Sequence, residues 1–149
     1  MYKLFINAHI ILSTLFFAVA FISILISSYK LHKKKKFNTR DKRLAIFFLI
    51  FLYLQFITGV ALYFFFKPEL SQASMTLQEA VENSKFRFWI TEHLATMIFA
   101  LILSQIGWIL IRNSSVSKNK FRTIIFYYGI SLIIIVVSTS IALIKEGIF

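Results

Sequence analysis

The chain has 149 residues, of which 58% are hydrophobic and 17% aromatic, and its formal net charge is +11. Its mean hydropathy of +0.77 lies outside the range of ordinary water-soluble domains. The sequence contains no cysteine, which excludes disulfides, zinc–thiolate sites and iron–sulfur clusters formed by this chain alone. The composition therefore predicts an integral membrane protein.

Four apolar segments are long enough, at about 1.5 Å per residue, to cross a hydrocarbon core of about 30 Å. They cover residues 4–29, 44–66, 88–111 and 123–144. We therefore predict that residues 1–149 form a single domain, an all-α antiparallel four-helix bundle in the membrane. A basic loop, residues 30–43, joins the first two helices, and an outer loop, residues 67–87, joins the next two. In the outer loop, Thr76 and Glu79 have capping-box spacing, which predicts a short interfacial helix.

The charged residues are distributed unequally. Twelve of the 17 Lys and Arg residues lie in the connections between helices one and two and between helices three and four, whereas five of the six carboxylates lie on the other side. The positive-inside rule therefore predicts that both termini face outward and that the basic connections face the cytoplasm of a bacterial cell, across its inner membrane. No aromatic residue interrupts the lysine run at residues 33–36, so we expect this cluster to contact anionic lipid headgroups and not nucleic acid.

The first and third helices each carry one histidine near the outer end. His9 lies five residues after Leu4, and His93 lies five residues after Phe88. Because both helices run inward, the two imidazoles are predicted at one depth, about 7–8 Å below the outer end. Helical spacing places both histidines on stripes of mostly small residues, which suit either close helix packing or contact with a flat cofactor.

Two facing imidazoles can supply both axial nitrogens of a haem iron. Without cysteine for covalent attachment, this haem would be of the b type, with His9 and His93 as the metal ligands. Glu92 would then orient an imidazole or adjust the reduction potential. Arg87 would pair with a haem propionate, or it would serve only as an anchor at the membrane interface.

Gln55 is a polar residue in the second apolar segment. By helix rise it is predicted about 16 Å from the outer end, deeper than the histidines by about 9 Å. An amide in lipid needs a partner, so Gln55 makes either an interhelical hydrogen bond or a contact to a bound cofactor or quinone.

Other functions fit the same residues. The histidines can be packing groups of a non-redox accessory subunit in a larger membrane complex. A metal transporter would use His9, His93, Glu92 and Met97 as ligands, but such a path, like a proton relay, needs polar groups that continue inward. Stand-alone enzyme catalysis is not predicted, because no Ser, His and carboxylate trio converges.

Three segments resemble a family of small four-helix membrane proteins of Bacteroidetes-type bacteria, the cytochrome b or cytochrome-b-like proteins. They are "NAHIIL" in helix one, "DKRLAIFFLIFLYLQFITGVALYF" in helix two and "FRFWITEHLATMIFALILSQIG" in helix three, about two-thirds of the chain. The resemblance implies one b-type haem bound by His9 and His93 near the outer face. It implies one-electron transfer with a quinol or an outer-face redox partner. Further residues that match the family pattern are Arg87, Glu92, Met97, Gln55, Gly59 and Gly107.

Overall fold

The structure is a computed structural model, and it describes residues 2–72, 82 and 87–145. Helix α1 spans Tyr2–His32 and helix α2 spans Thr39–Gln72. Helix α3 begins with a π-helical turn, Phe88–His93, and continues as the α-helix Leu94–Asn113. Helix α4 consists of Ser117–Thr123, a second π-helical turn, Ile124–Tyr128, and Gly129–Lys145. The interfacial helix predicted around Thr76 and Glu79 lies outside the described residues.

The four helices have the length and composition of membrane spans. Within them, the segments Lys3–His32, Thr39–Leu62, Thr91–Asn113 and Ser117–Ile141 are long and apolar enough to cross a bilayer. This confirms the prediction of an all-α four-helix bundle of the multi-pass membrane type. The predicted boundaries were too short, because α1 and α2 continue beyond the apolar residues. The connection between them is residues 33–38, not 30–43, since Lys and Arg are good helix formers and extend both helices.

A left-handed residue ends α1. Lys34 has a φ of 50°, the only positive value for a non-glycine among the described residues. The Lys35 N–H donates to the Lys30 carbonyl at 2.9 Å, and the Lys34 N–H donates to the Leu31 carbonyl at 3.1 Å. This pair of bonds is a Schellman motif, which satisfies carbonyls that the end of α1 would otherwise leave without partners.

A reciprocal cap begins α2. The Asp41 N–H donates to Asn38 Oδ1 at 3.1 Å, and the Asn38 N–H donates to Asp41 Oδ2 at 2.9 Å. The other oxygen of Asp41 accepts from Lys30 Nζ at 2.5 Å, and Asp41 is buried. The cap therefore fixes the start of α2 and also ties it to the end of α1.

The helices are arranged as a ring in which α1 and α3 each pack against both α2 and α4. Helices α1 and α3 thus lie diagonally across the bundle. We call the end that holds the α1–α2 and α3–α4 connections the basic end, and the opposite end, which holds both chain termini, the terminal end. The basic-end half has an aromatic core, in which Phe48 and Tyr128 stack with ring centroids 4.1 Å apart and Phe16 packs 5.2 Å from Phe48.

Candidate functional site

His9 is held against α2 by hydrogen bonds at both ring nitrogens. Its Nδ1 lies 3.1 Å from Thr58 Oγ1, and its Nε2 lies 2.9 Å from Gln55 Nε2. Gln55 Nε2 also donates to Ser13 Oγ, and the Ser13 hydroxyl donates to the His9 carbonyl. Gly59 lies against the same ring, since a Cβ at this position would be 3.3 Å from His9 Cε1. The small residue therefore lets α2 approach the imidazole closely.

The partners of the ring define its tautomer. The Thr58 hydroxyl donates its proton to carbonyls of its own helix, at 2.9 Å from Leu54 O and 3.0 Å from Gln55 O. In the hydrogen bond between His9 and Thr58, the His9 Nδ1–H is therefore the donor and the Thr58 hydroxyl oxygen is the acceptor. His9 Nε2 is then unprotonated and accepts a hydrogen bond from the Gln55 amide. This is the tautomer in which a metal-ligating histidine donates Nδ1–H to an oxygen and presents Nε2 to the metal.

Gln55 corrects one prediction made from helix rise. Its contact with His9 Nε2 places the two side chains at one level, not about 9 Å apart in depth. The two depths were counted from the ends of the apolar segments, as if these ends lay at one level. Helix α2 in fact extends to Gln72, and its end is not level with the start of α1. Gln55 is only 6% exposed, and its Oε1 has no hydrogen-bond partner among the described residues. Gln55 thus makes an interhelical hydrogen bond to His9, and its oxygen Oε1 is a buried acceptor without a hydrogen-bond partner among the described residues.

His93 occupies the last position of the π-helical turn of α3 and is directed toward α4. Its Nδ1 lies 3.2 Å from Ser138 Oγ, and Ser138 is buried. Both histidines thus have a hydroxyl at Nδ1, one from α2 and one from α4. Sequence reasoning missed Ser138, although a signal existed: it lies seven residues from the end of α4 at Lys145, a depth similar to that of the histidines.

The two imidazoles belong to one region of the bundle. They come from diagonal helices, and each lies in the half of the bundle that holds the terminal end. Each ring is half-buried, and the Nδ1 atom of each contacts a hydroxyl group of a neighbouring helix.

Glu92 and Arg87 lie at the margin of this region. Arg87 Nε is 3.5 Å from Glu92 Oε1, and both side chains are more than 40% exposed, at 49% and 43%. Glu92 also lines a groove of about 310 Å³ between α3 and α4, together with Phe88, Thr96 and Ser138. Since Ser138 contacts His93, the groove reaches from the lipid-facing surface to the hydroxyl that orients this histidine.

Met97 lies one turn after His93, is 5% exposed and belongs to the hydrophobic core. The stripe of α3 that continues from His93 lies inside the bundle, with Met97, Ala100, Ser104 and Gly107 buried. Toward the basic end the core contains the aromatic side chains of Phe48, Tyr128 and Phe16 together with the buried hydroxyls of Ser104 and Ser131. Among the described residues, no group of three or more His, Cys, Asp or Glu could hold a metal ion.

The donor set suits a bis-histidine haem. Imidazoles on diagonal helices, each with Nδ1 at a hydroxyl, are donors of the type that axial ligation uses, and Gly59 packs directly against one of the rings. Ligation by His9 would require the Gln55 amide to leave Nε2, the atom it now contacts.

Comparisons with protein families, curated proteins and solved structures find no match to this chain.

Proposed function

We propose that the protein is a membrane cytochrome that holds one haem b between His9 and His93 and transfers single electrons. The observation that carries the proposal is the pair of imidazoles, which come from diagonal helices in the terminal-end half of the bundle and whose Nδ1 atoms each contact a hydroxyl. Bound haem b would supply reversible one-electron chemistry, without an open coordination site for oxygen when both axial positions are taken. We place the protein in the bacterial inner membrane on the basis of its charge distribution.

The chain's own residues have separate roles in this proposal. Thr58 accepts from His9 Nδ1 and so holds this ring in the orientation that presents Nε2, and the Ser138 hydroxyl contacts His93 Nδ1 and holds the second ring. Arg87 supplies a positive charge at the membrane surface, where it would offset the charge of a propionate. The Glu92 carboxylate, whose Oε1 lies 3.5 Å from Arg87 Nε, partly neutralises the charge of the guanidinium. Met97 contributes an apolar, polarisable wall one turn from His93.

The groove beside His93 is the proposed approach for the electron donor. Its walls are mostly apolar, and Glu92, Thr96 and Ser138 supply polar groups from both helices. A membrane-soluble quinol fits this combination of apolar walls and a few polar groups. Oxidation of one quinol to quinone releases two electrons and two protons, so one quinol would reduce two copies of the protein by one electron each. A redox protein at the outer face is the other candidate partner.

The test is a visible spectrum of the full chain, purified in detergent after expression with added haem precursor. We expect a Soret band and a sharp reduced alpha band in the wild type, and their loss in His9→Ala and in His93→Ala. His32→Ala is the matched control, because this exposed histidine lies at the basic end and its removal leaves the spectrum intact. A colourless wild type, or equal loss of colour in all three variants, would refute the cytochrome.

One observation favours a second candidate, a non-redox accessory subunit of a larger membrane complex. Both ring nitrogens of His9 are hydrogen-bonded to side chains of α2, and these bonds join α1 to α2. In that case His9→Ala removes only interhelical hydrogen bonds, and we expect a colourless protein that loses about 1–2 kcal/mol of stability. The same spectra, combined with unfolding of both proteins, separate the two functions.

A further inference from the structure

A second groove lies at the basic end, between α1 and α4. It has a volume of about 440 Å³ and is lined by Leu31 of α1 and by a face of α4 that runs from Arg122 to Ile133. By helix rise these two α4 residues are about 16 Å apart, which is about half of a 30 Å hydrocarbon core. The groove therefore has the length of one bilayer leaflet.

The groove is apolar along its length and cationic at one end. Ile125, Phe126, Ile130 and Ile133 line it, whereas Arg122 is its only charged lining residue. Among the described residues of the basic end, Asp41 is the only carboxylate, and it is buried and paired with Lys30. In the described part of the chain, no carboxylate lies within ion-pair distance of Arg122. The guanidinium is therefore available to an anion from outside the chain.

Gly129 creates the depth of this groove. A Cβ at this position would meet no atom within 4 Å, so no neighbouring helix requires a glycine here. The contrast is Gly107, where a Cβ would lie 2.7 Å from Tyr127 Cβ, so that close packing itself excludes a side chain. Gly129 follows directly after the π-helical turn of α4, and turns of this kind are frequent at functional sites.

We propose that this groove is a specific site for an anionic phospholipid, with an acyl chain along α4 and the phosphate paired with Arg122. The combination of an apolar groove one leaflet long and a cation at headgroup level matches the two parts of such a lipid. Leu31 lies just before the lysine run at residues 33–36, which raises the local concentration of anionic headgroups beside the groove. The site is independent of haem binding, since it lies at the opposite end of the bundle from His9 and His93.

Native mass spectrometry of the full chain tests the proposal, with phosphatidylglycerol and phosphatidylcholine added separately to the detergent-purified protein. We expect one phosphatidylglycerol retained with at least a fivefold preference over phosphatidylcholine. Gly129→Leu fills the groove and should lower retention of both lipids at least fivefold. Arg122→Gln should abolish the preference but leave binding of phosphatidylcholine unchanged.

Two control variants match these changes elsewhere on the membrane-facing surface. Ala18→Leu adds a similar bulk at an exposed position of α1 outside the groove, and Arg112→Gln removes an exposed cation from the basic end of α3. Both should retain the wild-type preference. Circular dichroism checks that each variant folds. If the leucine side chain prevents folding of Gly129→Leu, the smaller change Gly129→Ala, which adds one carbon, replaces it. Full retention by the filled groove, an equal loss in Arg112→Gln, or a wild type without preference would overturn the proposal.

Discussion

The two halves of the bundle are held together by different interactions. At the basic end, α2 starts in a reciprocal cap joined to an ion pair, and the core is formed by stacked aromatic rings and buried serines. At the terminal end, the helices meet through hydrogen bonds of two half-buried imidazoles, and a buried amide oxygen has no partner among the described residues. The polar contacts of the basic half are made between groups of the chain itself, whereas the terminal half has imidazole nitrogens and an amide oxygen that a ligand in the interior can use.

The largest effect is expected from Asp41, because one carboxylate serves the helix cap and the ion pair together. Asp41→Ala leaves the ammonium of Lys30, 18% exposed, without its partner and removes one half of the cap. We expect a loss of about 3 kcal/mol. The measurement is loss of helical circular dichroism as a denaturing detergent is added. Arg40→Ala is the control, since it changes an exposed neighbour and should shift the transition little. A loss of stability below about 1 kcal/mol for Asp41→Ala would mean that water already solvates the ion pair of Asp41 and Lys30.

Three glycine-to-alanine variants compare how tightly the two halves are packed. Gly107→Ala would place its Cβ 2.7 Å from Tyr127 Cβ, and we expect a loss of about 2 kcal/mol because two helix backbones must separate. Gly59→Ala would place its Cβ 3.3 Å from His9 Cε1, and we expect a loss below about 1 kcal/mol because a side chain can move by tenths of an ångström. Gly129→Ala meets nothing within 4 Å and should stabilise α4 through helix propensity alone.

The same detergent titration measures all three alanine variants. If Gly59→Ala proved as destabilising as Gly107→Ala, the terminal half would be as closely packed as the basic half, and the contrast between them would be lost.

The fold was predictable from hydropathy, because a run of about 20 apolar residues has few alternatives to a membrane-spanning helix. The buried stripe through Met97, Ala100, Ser104 and Gly107 was also predictable from helical periodicity. The cap formed by Asn38 and Asp41 could have been recognised as a polar pair at capping-box spacing, which would have moved the start of α2 from residue 44 to Thr39.

The two histidines of the candidate site could be singled out from the sequence, but their hydrogen bonds could not. Two histidines at equal distances from helix starts indicated a shared level, whereas the depth of Ser138 alone did not distinguish it from the adjacent hydroxyls of Thr139 and Ser140. The depth of Gln55 could not be obtained by counting, because the count assumes that helix ends are level and that side chains have no length. The π-helical turn that carries Glu92 and His93 breaks the 3.6-residue period without a glycine or proline to mark it.

Thr58→Val tests whether a hydroxyl orients His9. The valine has almost the same shape but cannot accept from Nδ1, so we expect a loss of about 1 kcal/mol and a mixture of ring tautomers in the ¹⁵N NMR spectrum of labelled histidine. Thr14→Val is the matched control, because the hydroxyl of Thr14 is exposed and donates only to the Ile10 carbonyl of its own helix. An unchanged tautomer in Thr58→Val would show that Gln55 alone fixes the ring.

The smallest expected effect is a gain in stability at the end of α1. Lys34 adopts a left-handed conformation with a φ of 50°, which costs a side chain more than it costs glycine. We expect Lys34→Gly to raise stability by about 0.5 kcal/mol, because relief of this strain is partly offset by the greater freedom of glycine in the unfolded chain. Lys33→Gly removes the same charge one residue earlier, where φ is not positive, and should give no gain.

The two lysine variants together separate backbone strain from electrostatic repulsion in the lysine run. An equal gain in both would mean that repulsion among neighbouring lysines, and not the conformation of Lys34, destabilises this end of the bundle. The destabilisation at the basic end would then come from electrostatic repulsion and not, as we infer, from the strained backbone of Lys34. In that case binding of an anionic lipid should abolish the gain in both variants, whereas a gain from relieved strain should persist with the lipid bound.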